Sequence, residues 1–467
     1  MPQQQPMSDL IVLIPGLMGS VLVKDEQEIW AASGRTVLNN LFHLKGSVAE
    51  LRLPDGLGAG DPKDGVSAPR VLPQLAILPT FWKADGYGRW AAFIRERFTV
   101  TTATPTQAGN FLEFPYDWRL SSEYNAAKLE EVVVPALERW RKLSQNKDAK
   151  LVLIGHSMGG LLARHFCEVR GGRELTRKLI TVGTPYGGSV NALETLVNGL
   201  SLKPLGLSLS EVVRSFPSVY ELLPTYKCLD MGNGELAELD KIAVELLPKQ
   251  LDRSNLAQAF KFHTKINSGL EAKPTHQTFA IKGIDQPTKQ SALLRNGKIE
   301  SFRHYKGTDY GGDGTVPRPS SHPQEWADDS TVTFASQSHA LLQSTDSILK
   351  QLFGMMSNQL GRFMGVESGL GLDLPEVVDA GRPFLVTVKS VGGDAGLALQ
   401  VTAQDENGAE TSPPKMMKTQ GDGTYSVSLD GLPPGAHRIT VGSALPLVPL
   451  DPVADWTLAW TTASAVP

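Results

Sequence analysis

The 467-residue sequence is poor in cysteine, in long apolar runs and in clustered charge. It has two cysteines, Cys167 and Cys228, too few for a disulfide framework or a thiolate metal site. Lysine and arginine total 45 against 49 aspartate and glutamate residues, so neither sign dominates and no nucleic-acid partner is indicated. No apolar run approaches the roughly 20 residues of a membrane-spanning helix, so any membrane contact is expected to be interfacial.

The N-terminal residues also lack the features of a secretory signal peptide. Leu10–Ile14 is apolar, but no basic segment precedes it, Asp9 stands at its start, and Pro15 and Gly16 follow it directly. The segment is predicted to be a strand and loop of the folded chain. We therefore expect a cytoplasmic protein, with delivery by a signal-independent route left open.

Ser157 stands where an apolar segment gives way to a helical one. Leu151–Ile154 is a continuous apolar run, typical of a strand covered on both faces. Gly155 and Gly159 flank the serine at i−2 and i+2, and neighbours without side chains permit a tight strand-to-helix turn. G-x-S-x-G alone is a weak motif, but in this setting it predicts a nucleophile elbow at the carboxyl edge of a parallel sheet.

A glycine-containing loop, Pro15–Ser20, leaves the first apolar strand. In α/β-hydrolases, one backbone N–H for the oxyanion comes from such a loop and the other comes from the residue after the nucleophile. This rule assigns Leu17 and Met158 as oxyanion-hole donors. A tight turn without a catalytic role is the alternative for the loop.

The acid and the base are sought after Ser157, because hydrolases of this type run Ser, then Asp or Glu, then His. Asp313 lies among glycines in GGDGTVP, with Asp309 as its nearby competitor. His339 lies between the last predicted strand and the last predicted helix of this part of the chain. It ranks ahead of His322, which belongs to a proline-bounded loop before that strand.

Two other aspartates are given structural roles. Asp117, in FPYDWR, precedes the serine in the chain and is expected to lie beside Arg119. Asp422 belongs to a second GDGT sequence, Gly421–Thr424, which introduces an alternating strand and is predicted to be a hairpin turn.

The order of strand and helix patterns predicts an α/β-hydrolase fold over residues 1–368. An irregular insertion at about 30–84 is either a lid or an ordinary covered excursion, and helical patterns at about 190–275 predict a cap. After about residue 369, short alternating segments separated by Gly, Pro and Asn predict an all-β, immunoglobulin-like sandwich over 369–467. No chemistry is assigned to this module, and whether it binds a partner is left open.

Six motifs in order make the chain, from about Ser8 to Phe353, resemble the lecithin:cholesterol acyltransferase-like family of lipases, phospholipases and acyltransferases. They are PGLMGS (15–20), FPYDWR (114–119), GHSMGG (155–160), GTPYGGS (183–189), GDGTVP (312–317) and the late His339. The resemblance implies a catalytic triad of Ser157, Asp313 and His339, with Leu17 and Met158 as oxyanion donors.

The resemblance further implies an acyl-ester lipid substrate and a lid near Trp30, where Trp30 and Met18 are candidate substrate or lid residues. Neither a metal nor another cofactor is expected. Ser20 stands where family members often carry Asn, and the chain has no cysteine pair to staple the lid. These departures, together with the additional C-terminal module, leave the identity of the substrate open.

The expected function is that of a serine hydrolase of acyl-ester lipids, a phospholipase, lipase or lipid acyltransferase, acting through an acyl-serine intermediate. The alternatives are a soluble carboxylesterase or thioesterase and, from another class, a non-catalytic binding protein with a hydrolase-like core. Hydrolysis and acyl transfer share the acyl-enzyme and differ in whether water or an alcohol resolves it. The motifs do not separate these two outcomes.

Overall fold

The computed structural model describes residues 4–31, 50–73, 76–78, 82–84, 86–202, 207–268, 276–323, 332–357, 369–391, 396–445 and 450–461. Parts of the predicted lid, cap and C-terminal module fall between these ranges and lie outside the described residues. Within the ranges, the chain forms a central parallel sheet with helices on both faces and two further sheets toward the C-terminus.

Six parallel strands form the central sheet. They are β1 (Leu10–Ile14), β2 (Phe111–Glu113), β3 (Leu151–His156), β4 (Thr176–Val182), β5 (Gln277–Gly283) and β6 (Val332–Ala335). Their order across the sheet is β6-β5-β4-β3-β1-β2, and every neighbouring pair is parallel. The predicted α/β class is confirmed, and β3 is the strand expected before Ser157.

Helices follow or separate these strands. They are α1 (Gly88–Arg97), α2 (Ser122–Ser144), α3 (Met158–Val169), α4 (Val190–Asn198), α5 (Ser210–Arg214), α6 (Pro217–Tyr220), α7 (Arg253–Ser268) and α8 (Asp346–Ser357), with 3-10 turns at Leu239–Lys241, Arg318–Ser320 and His339–Leu341. Pro135, which predicts a kink or a break, lies inside α2 without ending it. The sequence predicts one helix after His339. The structure has a 3-10 turn at His339–Leu341 and then α8.

Each face of the central sheet has its own apolar core. Residues of a strand alternate between faces, so Leu10, Val12 and Ile14 of β1 join one buried cluster while Ile11 and Leu13 join the other. The apolar sides of α2 and α3 cover the first face, and those of α1 and α8 cover the second. Burial on both faces explains why these strands read as continuous apolar runs.

Short paired strands lie outside the central sheet, and some of them fall in the segments expected to form the lid and the cap. The paired strands are 5–6 with 98–99, 22–24 with 27–30, 76–78 with 82–84, 201–202 with 207–208, 229–230 with 236–237, and 291–295 with 298–302. The last pair turns at Asn296 and Gly297, which have φ of 52° and 73°. Helices α4 to α7 lie between β4 and β5, where a helical cap was predicted, so that region mixes helices with short strands.

Nine strands form two sheets in the C-terminal part of the described chain. They are β7 (Leu370–Asp373), β8 (Val377–Asp379), β9 (Phe384–Ser390), β10 (Leu399–Asp405), β11 (Glu410–Met416), β12 (Lys418–Gly421), β13 (Thr424–Leu429), β14 (Gly435–Ser443) and β15 (Val453–Trp460). The sheet orders are β7-β9-β13-β12 and β8-β15-β14-β10-β11. Both sheets contribute to one buried apolar cluster, and Asp422 lies in the turn between β12 and β13, as predicted.

Strand β15 is buried on both of its sides. Val453 and Ala459 belong to the apolar cluster of the C-terminal sheets, whereas Ala454, Trp456 and Leu458 belong to the cluster that covers the central sheet. The C-terminal strands therefore pack directly against the part of the chain that contains β1 to β6. None of the helices that the structure describes is long and apolar enough to span a bilayer.

The buried Glu221 generates a prediction about stability. Glu221 follows α6, is 1% exposed, and accepts a hydrogen bond from the Ser122 N–H at the start of α2 (2.7 Å). Burial raises the pKa of this carboxyl to about 8 from an ordinary value of 4.5. The folded protein therefore binds this proton more tightly than the unfolded chain, and the associated stability is complete below about pH 4.5 and declines as the pH rises toward 8.

Glu221→Gln keeps an acceptor for the Ser122 N–H and removes the titration. We expect the free energy of unfolding of the variant, relative to wild type, to increase between pH 5 and pH 8, by at most about 1.4 kcal/mol for each pH unit. Urea denaturation at several pH values measures the difference in unfolding free energy between the variant and the wild type. The contributions of the other titrating groups are common to both proteins and cancel in this difference. Parallel stability profiles for the two proteins would contradict the prediction.

Candidate active site

Ser157 lies in the tight turn between β3 and α3. Its φ of 51° and ψ of −125° place a non-glycine residue in a rarely populated backbone conformation. The Ser157 N–H donates to the Val182 carbonyl oxygen (2.8 Å), and the Ser157 carbonyl accepts from the Gly160 N–H (3.0 Å). Hydrogen bonds to β4 and within α3 thus hold the serine at the strand-to-helix turn that the sequence predicts.

Asp313, His339 and Ser157 form a continuous hydrogen-bonded series. His339 Nδ1 lies 2.7 Å from Asp313 Oδ2, and His339 Nε2 lies 3.0 Å from Ser157 Oγ. The three residues are between 1% and 3% exposed, so the series is shielded from bulk water. The structure brings together the three side chains that sequence order selects.

The Asp313 carboxylate is fixed by backbone donors as well as by the imidazole. Its Oδ1 accepts from the N–H groups of Thr315 (2.9 Å) and Val316 (2.6 Å), and its backbone carbonyl accepts from the His339 N–H (2.7 Å). Gly283, at the end of β5, permits this approach because a Cβ there would lie 2.3 Å from the Asp313 Cβ. Both oxygens of the carboxylate therefore have hydrogen-bond partners, and the orientation of the carboxylate is fixed.

The competing residues lie in other hydrogen-bonding environments. Asp117 forms an ion pair with the buried Arg119 (2.6 Å), as the sequence predicts. Asp309 accepts from the Gly311 N–H and from the Gln290 side chain. His322 lines a separate cavity. The Asp117 and Asp309 side chains thus bond to residues other than Asp313, His339 and Ser157.

The predicted oxyanion loop lies beside the serine because β1 pairs with β3 and parallel strands end at the same edge of a sheet. A Cβ on Gly159 would lie 2.3 Å from the Pro15 carbonyl oxygen, so the start of α3 approaches the loop backbone closely. Across the described part of the chain, the N–H groups of Leu17 and Met158 have no protein acceptor. Both N–H groups are thus available to an acceptor from a substrate.

Trp30 and Met18 are buried and bonded to one another. The Trp30 indole N–H donates to the Met18 carbonyl oxygen (3.1 Å), and the Trp30 ring packs edge-on against Trp118 at 5.5 Å between centroids. Met18 has a positive φ of 59°, and the exposed fractions of Trp30 and Met18 are 7% and 2%. The sequence suggests Trp30 as a lid or substrate residue. In the structure, its indole N–H fixes the carbonyl of Met18, the residue that follows Leu17.

Two further aromatic residues hold the same loop from the other side. The Tyr116 hydroxyl donates to the Pro15 carbonyl (2.8 Å), and the Tyr116 N–H donates to Ser20 Oγ (3.1 Å). The Trp118 indole N–H donates to the Ser20 carbonyl (3.0 Å). Tyr116 and Trp118 belong to the FPYDWR motif. The motif therefore anchors the Pro15–Ser20 loop, a role that the sequence analysis, which considered only Asp117 and Arg119 of this motif, did not predict.

Tyr87 connects the oxyanion loop to the residue before the serine. The Gly16 N–H donates to the Tyr87 hydroxyl oxygen (2.7 Å), which leaves the hydroxyl proton to donate to His156 Nδ1 (2.8 Å). Burial, together with the neighbouring His339, holds the pKa of His156 well below its usual value, so this imidazole stays neutral as an acceptor must. Nothing in the sequence around Tyr87 marks this role.

A polar cavity of about 490 Å³ reaches the Asp313 and His339 side of the site. Three ion pairs line it, those of Lys83 with Asp455, Lys289 with Glu194, and Arg303 with Asp373.

Over the portion of the chain that is described, no group of three or more His, Cys, Asp and Glu side chains is arranged to hold a metal ion. Cys167, which the sequence assigns to a buried thiol, is buried, and burial raises its pKa to about 12.

Comparison with known proteins gives a partial family match. A model of the lecithin:cholesterol acyltransferase family matches residues 105–268, which include Ser157 and Met158 and end before Asp313. No curated protein matches the sequence. The resemblance seen in the motifs is confirmed for this segment.

Solved structures with similar chain paths include two bacterial enzymes. The propeptide form of the Bacillus licheniformis lipase BlEst2 is 13% identical over 95% of this chain and 74% of that chain, with a TM-score of 0.38. Phospholipase PlaB from Legionella pneumophila is 10% identical over 96% of this chain and 90% of that chain, with a TM-score of 0.31.

The Tyr87 bridge predicts a measurable loss of stability. Tyr87→Phe leaves the Gly16 N–H without its acceptor and His156 Nδ1 without its donor, both in the protein interior. We expect the free energy of unfolding to fall by about 1–3 kcal/mol, because a buried polar group without a partner carries its full desolvation cost. Urea denaturation at pH 7 measures the change.

Tyr124→Phe is a matched control. The Tyr124 hydroxyl donates to Asp61 at the surface (3.1 Å), where water replaces the lost partner, so the expected change is within about 0.5 kcal/mol. Equal effects of the two substitutions would show that the Tyr87 hydroxyl contributes nothing specific.

Proposed function

We propose that this chain is a serine hydrolase or acyltransferase that acts on acyl-ester lipids through an acyl-enzyme on Ser157, because a model of the lecithin:cholesterol acyltransferase family matches residues 105–268. A family of this kind supports a lipid ester hydrolase or acyltransferase in general terms. The residues that carry out the chemistry, and the acyl-serine intermediate, are part of the proposal.

The observation that carries the proposal is the hydrogen-bonded series from Asp313 through His339 to Ser157. Distances of 2.7 and 3.0 Å place an imidazole between a carboxylate and a hydroxyl. A serine hydroxyl becomes an effective nucleophile when an adjacent imidazole accepts its proton, and a carboxylate fixes the tautomer and stabilises the imidazolium. The arrangement has the geometry that such a reaction requires.

In the first half-reaction, Ser157 Oγ attacks the acyl carbonyl carbon while its proton passes to His339 Nε2. Negative charge develops on the former carbonyl oxygen, where the N–H groups of Leu17 and Met158 are available as donors. Loss of one such donor typically costs about 2.7–4 kcal/mol of transition-state stabilisation. The His339 imidazolium then gives its proton to the departing alcohol oxygen as the ester bond breaks, and the acyl group stays on Ser157.

In the second half-reaction, a water molecule or an alcohol attacks the acyl-serine. His339 takes the proton of the attacking hydroxyl and returns a proton to Ser157 Oγ when the acyl group leaves. Water gives hydrolysis and an alcohol gives acyl transfer, with the same three residues in the same roles. Product analysis of a mixed lipid extract by mass spectrometry, with and without functional Ser157, distinguishes the two outcomes.

The role of Ser157 predicts loss of covalent labelling. Ser157→Ala removes the nucleophile, so we expect neither labelling by a fluorophosphonate probe nor release of fatty acid from phosphatidylcholine vesicles, a loss on the order of 10⁶-fold in kcat. Ser144→Ala is the matched control, since its hydroxyl lies at the C-terminal end of α2, where it donates to the Trp140 carbonyl and accepts from the Asn146 N–H. Labelling that persists in the folded Ser157 variant would overturn the proposal.

If Asp313 orients His339, substitution of Asp313 is expected to lower kcat far more than substitution of the neighbouring Asp309. Asp313→Asn disturbs the tautomer of His339, and we expect kcat for a short soluble ester to fall by about 10⁴-fold. Asp309→Asn alters a carboxylate that bonds Gly311 and Gln290 instead, and we expect it to keep kcat within tenfold of wild type. Steady-state kinetics on both variants test the assignment, and a larger loss from Asp309→Asn would reverse it.

A further inference from the structure

The C-terminal sheets contact both loops that supply the acid and the base of the proposed site. One contact involves β15, which is buried between the two parts of the chain. The other involves β7, the first strand of the four-stranded C-terminal sheet. The sequence assigned no chemistry to this region, so the effect of these contacts is not part of the proposed function.

The base loop is bonded to the β15 segment through the two residues that precede His339. Gln337 Nε2 donates to the Pro452 carbonyl oxygen (2.5 Å), and the Ser338 hydroxyl donates to the Ala454 carbonyl oxygen (2.9 Å). Gln337 and Ser338 are 3% and 7% exposed, so water is a poor substitute for either bond.

The acid loop is bonded to β7 through Gln286. The Gln286 side-chain amide donates to the Leu370 carbonyl (2.9 Å), and its oxygen accepts from the Leu372 N–H (3.0 Å). The Gln286 backbone N–H donates to the carbonyl of Gly312, the residue before Asp313 (2.9 Å). One side chain thus uses both ends of its amide on β7 while its own backbone pairs with the acid loop.

A third contact joins β15 to strand 82–84, which lies beside His339. Lys83 Nζ donates to Asp455 Oδ2 (2.7 Å) and to the Trp456 carbonyl (3.0 Å), and both members of the ion pair are mostly buried. Strand 82–84, which contains Lys83, packs against the 3-10 turn His339–Leu341, as does β15. The turn that carries the imidazole is therefore enclosed by elements joined to one another.

The central sheet alone gives the base loop little support. His339 follows β6, which is four residues long, is half-buried throughout, and among the described strands lies at the edge of the central sheet, beside β5. A loop leaving such a strand has few neighbours within the sheet to fix it. Strand β15 and the segment before it provide the missing neighbours.

We propose that the C-terminal β region is a positioning element for the active site, in which β7 holds the Asp313 loop and β15 holds the His339 loop. The inference rests on the proposed function, because it concerns the alignment of the same three residues. Gln286, Gln337 and Ser338 act through Asp313 and His339, as positioning residues. Displacement of a reacting group by about 1 Å can cost about 100-fold in rate, so loosening these bonds lowers kcat.

The test is the double variant Gln286→Ala/Ser338→Ala, which removes both Gln286 side-chain bonds to β7 and the Ser338 bond to the Ala454 carbonyl. With a short soluble ester, we expect kcat to fall between about tenfold and 100-fold while KM changes by less than about threefold. The pseudo-first-order rate constant of fluorophosphonate labelling is expected to fall by a similar factor. This rate constant describes folded molecules, so partial unfolding reduces the amount labelled and leaves the rate constant informative.

Two controls separate alignment from general damage. Gln258→Ala/Ser357→Ala removes the same two kinds of side-chain bond elsewhere, from Glu123 and from the Phe353 carbonyl. Thr457→Val breaks a bond inside the C-terminal region, to the Pro375 carbonyl, without touching either loop. Both controls are expected to keep the wild-type labelling rate constant, and Ser338→Thr, which retains the hydroxyl, is expected to restore most of the loss caused by Ser338→Ala.

The outcomes distinguish this inference from the function on which it rests. A folded double variant that is labelled and turns over at the wild-type rate overturns the positioning role and leaves the proposed function intact. Equal losses in the Thr457 control and the double variant also overturn it, since they indicate general destabilisation. Wild-type protein that is not labelled overturns the proposed function, and the positioning role with it.

Discussion

The parallel pairing of β1 with β3 is the constraint on which the rest of the site depends. It places the ends of the two strands side by side, so the Pro15–Ser20 loop and Ser157 meet without any long-range adjustment. The contact is close enough that Gly159 cannot be replaced by a residue with a Cβ without moving the Pro15 carbonyl. Ser157 and the Pro15–Ser20 loop are therefore held together by a close backbone contact, and side chains refine the arrangement.

That refinement is done mainly by aromatic residues with a polar atom. Trp30, Tyr116 and Trp118 each hold a carbonyl of the loop, and Tyr87 holds an N–H. Such side chains combine a large apolar surface, which fills the core, with one polar atom that satisfies a buried backbone group. These side chains thus hold the backbone of the loop at four points.

The sequence was sufficient for the features that depend on local pattern and chain order. The apolar run of β3, the glycines around Ser157 and the order of Ser157, Asp313 and His339 each have a local signal, and the structure brings these three residues together. Strand β15 has none, because Ala454, Trp456 and Leu458 face one core while Val453 and Ala459 face another. Burial of both faces removes the alternation of polar and apolar residues by which β10 and β14 of the same sheet were found.

Other features were missed because the responsible contacts are distant in the chain. The bonds of Tyr87 to Gly16 and of Gln286 to Leu372 join segments that no short motif relates. Trp30 was singled out for its size and its place in an irregular insertion, but its orientation depends on the positions of Met18 and Trp118. The sequence predicts a helix after His339, but α8 begins only at Asp346. The residues from His339 to Leu341 form a 3-10 turn that contacts β15, and helix propensity does not describe such a long-range contact.

The two-sided burial of β15 has a consequence for the order of events during synthesis. Ser157 and its elbow can form soon after β4 is made, since they need only nearby segments. The imidazole loop gains its full set of neighbours only after β15 has been synthesised and has inserted between the two cores. A nascent chain would thus carry a folded Ser157 turn before the His339 loop has gained its contacts with β15.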